Sequence, residues 1–142
     1  MKKESRGQVS LEYILIFTIS LIILMVFTLP LSEESISNTL DVSDSLNVKY
    51  GMSKVAHAVK EVYGEGQGSK QTISMDSPKN IKVTAGNNYI SCKLKLKSNQ
   101  YKEIKEYYSS NLKKTSINLE KGENTIIVEW PVGSDNMIIH KQ

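Results

Sequence analysis

With 142 residues and 16.0 kDa, the chain has room for one modest domain, or for a smaller domain with an anchor, but not for two independent enzymatic domains. Its single cysteine, Cys92, excludes an internal disulfide framework, a thiolate zinc cluster and a C-x-x-C redox pair. The net charge of +3 is too small to argue for nucleic acid, and part of it lies at the start, where Lys2, Lys3 and Arg6 stand against Glu4.

The first element after this basic leader is the run of residues 13–32, YILIFTISLIILMVFTLPLS, which contains no charge. As a helix rising ~1.5 Å per residue it is about 30 Å long, the thickness of a bilayer's hydrocarbon core. A helix apolar on every side must be surrounded by apolar material, and the polar remainder of the chain is too small to enclose one. Lys2, Lys3 and Arg6 precede the run, and Glu33 and Glu34 follow it. The positive-inside rule then places the N-terminus in the cytoplasm and the bulk of the chain outside. An ordinary secretory signal has a shorter apolar stretch and a small-residue cleavage site on its far side. Here Leu31-Ser32-Glu33-Glu34 offers none.

Instead, Arg6-Gly7-Gln8-Val9-Ser10-Leu11-Glu12-Tyr13 stands directly before the run. This string resembles the class III signal peptide of archaeal type IV pilin-like proteins. The family pattern Q-x-S-x-E-x-x-x-L falls on Gln8, Ser10 and Glu12, with Ile16 where leucine is usual, a change that keeps the apolar volume. The resemblance covers about the first thirty residues. It implies that a membrane-bound prepilin peptidase cuts between Gly7 and Gln8, so that residues 1–7 are a cleaved leader and the mature chain begins with glutamine. It also implies that Glu12 serves assembly, by neutralising a neighbouring subunit's N-terminal amine. A carboxylate in a membrane segment costs on the order of 2.5–3.5 kcal/mol near the bilayer centre. The plain alternative puts Glu12 in the headgroup layer, or in the first helical turn where the macrodipole favours negative charge.

Beyond the run, residues 33–63 are polar but keep a helical pattern, with Ile36 and Leu40 four apart and then Met52, Val55, Ala56, Val59 and Val62 on one stripe. One long, bent helix over residues 8–63 is expected, with residues 13–32 as its membrane-spanning or filament-core part. Pro30, which lacks a backbone donor, and Gly51, which costs ~1 kcal/mol relative to alanine, are its weak points. The stripe is expected to cover the chain's own β domain. Gly64-Glu65-Gly66-Gln67-Gly68-Ser69-Lys70 ends the helix. It is not a phosphate loop, because Ser69 separates Gly68 from Lys70 and a helix precedes it.

From Gln71 the periodicity falls to two. Ile90, Cys92, Leu94 and Leu96 alternate with Ser91, Lys93, Lys95 and Lys97, which reads as a half-buried strand with Cys92 facing inward as a small apolar residue. Ile81 and Val83 suggest a short strand before it. Ile117 and Leu119 lead into Lys121-Gly122-Glu123-Asn124, a hairpin signal, followed by Ile126, Val128 and Trp130 on one face. Met137-Ile138-Ile139-His140 closes a set of five or six antiparallel strands, while residues 101–108 fit a helix nearly as well as a strand. The fold class is therefore α+β: a long N-terminal helix continuing into a small antiparallel sheet or sandwich over residues 64–142, with residues 51–142 expected to be soluble without the anchor.

No catalytic constellation accompanies this plan. His57 lies between two alanines and His140 near the end, neither with a carboxylate or nucleophile at a useful spacing, and no G-x-S-x-G elbow occurs. No cofactor or metal is expected, and the lysines at 93, 95, 97, 102, 105, 113 and 114 read as a solvated face that protects strand edges rather than as a nucleic-acid surface. No N-x-[ST] sequon is present. The resemblance thus implies a structural pilin-like subunit, a cytoplasmic-membrane precursor that joins other pilin subunits in a cell-surface filament. The alternative is a single-pass surface protein, an adhesin or sensor, that never polymerises.

Overall fold

The computed structural model describes the backbone of residues 4–142 and the side chains of residues 10–142. One helix precedes seven strands: α1 (Glu4–Glu65), β1 (Lys70–Ser77), β2 (Ile81–Ala85), β3 (Tyr89–Lys95), β4 (Tyr101–Tyr107), β5 (Thr115–Leu119), β6 (Gly122–Glu129) and β7 (Ile138–Lys141). The architecture is α+β with antiparallel sheets, as expected from the sequence. The chain divides into two compact units, Met1–Thr39 and Leu40–Gln142.

The described residues of the first unit are helical. α1 is already helical at Glu4, the first described residue, so the helical backbone includes residues 4–7 ahead of the expected cleavage point, and Gly7 alone weakens a helix by only ~1 kcal/mol. Pro30 is accommodated inside the helix. Within the apolar run the hydroxyls are folded back onto the backbone: Thr18 Oγ1 donates to the Ile14 carbonyl and Ser20 Oγ to the Ile16 carbonyl, both at 2.8 Å. Such i−4 bonds hide polar atoms that would otherwise face apolar surroundings.

The second unit has one core. Its helical part contributes Val48, Met52, Val55, Ala56, Ala58, Val59 and Val62, so the stripe read from the sequence does cover the chain's own strands. Ile36 and Leu40 are not part of it and remain exposed. The stripe runs backward instead through Ser45 and Asp41, both buried. The helix ends where Gly66 N donates to the Val62 carbonyl at 3.1 Å, and Ser69 Oγ donates to the same carbonyl at 3.0 Å, satisfying an acceptor the last turn would leave open.

The strands form a three-stranded sheet, β1-β6-β7, and a four-stranded sheet, β4-β3-β2-β5. Seven strands replace the five or six expected. β1 is missing from the sequence reading because Ile73 and Met75 are the only apolar residues among its eight, too few to mark a strand. Residues 101–107 form a strand, since register with β3 places Ile104 opposite Cys92 on the inner face. In β6 the consecutive Ile126, Ile127 and Val128 are all buried, as befits the central strand of its sheet.

The expected hairpin at Lys121–Asn124 does not form. β5 pairs with β2 whereas β6 pairs with β1 and β7, so the two residues between β5 and β6 carry the chain from one sheet to the other. The Asn124 side chain replaces the missing ladder. Its Oδ1 accepts the Glu120 N–H at 3.0 Å, and its Nδ2 donates to the Glu120 and Gly122 carbonyls at 2.8 Å. Gly122, at φ 102°, takes a backbone conformation that a side chain disfavours. A buried amide that meets its own hydrogen-bonding needs can hold such a corner without a turn signature.

Candidate assembly and processing segment

Ser10, Glu12 and Ile16 lie on α1 with exposed side chains, while Arg6, Gly7 and Gln8 belong to its helical backbone with side chains outside the described residues. Glu12 and Ile16 are one turn apart and so share a face. Glu12 has no ion partner among the described residues. From Leu11 to Leu31 the large apolar side chains are all well exposed, including Tyr13, Phe17, Leu24 and Phe27. Among the described residues, one helix is long and apolar enough to cross a membrane, and no part of its most apolar stretch is buried. An apolar surface this extensive is stable only when lipid or other helices cover it.

The other residues singled out from the sequence are dispersed. His57 and His140 are exposed on separate elements, and no group of three or more histidine, cysteine, aspartate or glutamate side chains is placed to hold a metal ion among the described residues. Cys92 is buried, its Sγ 3.4 Å from the Met52 Sδ. Burial, aided by the negative charge of Glu103, pushes its thiol up to about 11, so at neutral pH it stays an unreactive thiol. Lys93, Lys95 and Lys105 line the outward face of β3 and β4.

One polar residue of consequence escaped the sequence reading. Asp41 accepts the Lys97 N–H through Oδ1 at 2.6 Å and the Ser98 N–H through Oδ2 at 3.3 Å, holding the turn between β3 and β4 against the helix. Those backbone donors, chiefly that of Lys97, hold its carboxyl below the usual value against the opposing effect of burial. Stepping back along the stripe from Met52 by four, three and four gives Val48, Ser45 and Asp41, so helical spacing alone could have found it. Its charge argued against a buried position.

Comparison with known proteins bears on this segment directly. Residues 5–31 match the family model of the class III signal peptide. Over 132 residues, 87% of this chain and 97% of the relative, the chain is 26% identical to the minor structural pilin EpdB of Methanococcus maripaludis. No solved structure matches the chain. The chain therefore carries a class III signal segment and is similar to archaeal type IV pilin-like proteins, the kind of subunit from which type IV pilus-like filaments are built.

Proposed function

We propose that the chain is a structural pilin subunit, not an enzyme, made as a membrane precursor with its N-terminus inside and residues 64–142 outside. A prepilin peptidase removes residues 1–7, and the mature chain joins other pilin subunits through residues 13–32. The observation that carries this reading is the placement of Gly7, Gln8, Ser10 and Glu12 on α1 immediately before its exposed apolar stretch. The likeness to a minor structural pilin over nearly the whole chain supports it, because it extends past the signal segment into the β strands.

Glu12 separates a polymer from a simple anchor. Among packed apolar helices an unpaired carboxylate is far more costly than in a headgroup layer, so it needs a positive partner or hydrogen-bond donors. The amine exposed on cleavage, with an ordinary pKa of ~7.7–8.0, is mostly protonated at neutral pH and supplies the charge. Glu12→Ala is therefore expected to leave membrane insertion and leader removal intact while its level in sheared filaments drops. Immunoblots of membrane and sheared fractions read both. Wild-type amounts of Glu12→Ala subunits in filaments would count against this role, and absence of the wild-type chain from filaments would favour the non-polymerising surface protein.

A further inference from the structure

Resting on that filament reading, we propose that a groove between α1 and the edge strand β4 receives residues 33–40 of α1 from a second copy of this chain. The groove, of about 320 Å³, is lined by Val42, Ser45, Leu46 and Lys49 on the helix and by Lys102–Lys105 on the strand. Among the described residues β4 pairs only with β3, which leaves its other edge without a strand. Val42 and Leu46, one turn apart beside that edge, are 57% and 60% exposed, although neighbouring positions of the same helix supply the core. The charged groups around them are unbalanced. Lys105 is engaged by Glu103 at 3.1 Å, whereas Lys49 and Lys102 have no ion partner among the described residues.

An apolar floor with two free ammonium groups calls for a segment that presents apolar side chains and carboxylates together. On α1, Glu33, Ile36 and Leu40 fall at i, i+3 and i+7, hence on one face, with Glu34 beside them. Ile36 and Leu40 are exposed, and neither Glu33 nor Glu34 has an ion partner among the described residues. Charge complementarity therefore selects this segment. The groove is built partly from the turns of the same helix that immediately follow it, so the contact is made between copies. Because the two patches differ, each contact leaves one groove and one acidic patch unused, and a heterologous contact of this kind propagates instead of closing into a dimer.

Charge reversal and cross-linking in the full chain test it. Lys49→Glu with Lys102→Glu, and separately Glu33→Lys with Glu34→Lys, should each lower incorporation into sheared filaments about tenfold at unchanged membrane levels. Combining all four should restore incorporation to within about threefold of wild type. In a Cys92→Ala background, Ile36→Cys with Leu46→Cys should give on oxidation a ladder of disulfide-linked multimers of this chain, in membranes as well as in filaments. A chain that cross-links but never enters filaments would sink the polymer reading and leave the groove contact standing. Filaments that form without the ladder, or without rescue by the fourfold reversal, would overturn the groove contact alone, as would disulfides to a different polypeptide.

Discussion

At the scale of single residues, Asp41 links the helix to the strands through a charge. Its carboxylate is stabilised in the folded state by two backbone N–H groups, which lowers its pKa from the ordinary 3.8. A lowered folded-state value means that this contribution is complete above about pH 3.8 and is lost as pH falls through the lower, folded-state value. Asp41→Asn should lower the urea midpoint of the Leu40–Gln142 unit at pH 7, and the gap to wild type should narrow below pH 3.8. A gap of equal size at pH 7 and pH 3 would mean that the charge is irrelevant and that only shape is lost. Gly51 answers to packing. A Cβ built there would lie 2.5 Å from Met75 Cγ and 2.8 Å from its Cε, so the glycine is where β1 approaches the helix. Set against the helical gain from Gly51→Ala of ~1 kcal/mol, overpacking of ~1–3 kcal/mol leaves a net loss of up to about 2 kcal/mol. Thermal melts that matched or exceeded wild type would show that Met75 moves aside freely.

Among the elements, α1 serves two environments in succession. Its upper turns belong to the second unit, in which Asp41, Ser45 and Val48 are all buried. The fragment expected to fold by itself therefore begins at Leu40, ahead of the residue 51 start read from the sequence. Residues 40–142 should be soluble, mainly β by circular dichroism with one helix, and should melt cooperatively. Starting at residue 51 removes the Asp41 anchor and the Val48 side chain, whose burial alone contributes about 1.5–3 kcal/mol. Equal melting temperatures for the two fragments would return the boundary to residue 51. The Glu120-Lys121 corner teaches a related lesson, since a two-residue connection followed by the turn formers Gly122 and Asn124 joins strands of different sheets once Asn124 meets the backbone's hydrogen-bonding demands.

For the molecule as a whole, the proposed order of events, leader removal before assembly, is tested at Gly7. Intact mass of the chain isolated from its native host should show that residues 1–7 are gone and that Gln8 is first. A bulky replacement such as Gly7→Leu should retain the leader and keep the chain out of sheared fractions. Retention of residues 1–7 in the wild-type protein would sink the processing assignment.

How much of this was legible without coordinates depends on whether the signal is local. The apolar run of residues 13–32, the Gln8, Ser10 and Glu12 pattern, the buried stripe from Met52 to Val62 and the β3 alternation around Cys92 are read within one or two turns of chain. The sequence by itself therefore determined the exposed apolar helix, the α+β class and the candidate assembly segment. Tertiary structure decided what depends on distant partners. β1 needs β6 to pair with, because its own apolar content is too low to mark it. Asp41 is buried only because the Lys97 and Ser98 amides, more than fifty residues away, compensate its carboxylate. Sheet membership of β5 and β6 was likewise hidden, since a turn signal specifies a reversal of direction but not which strand lies alongside.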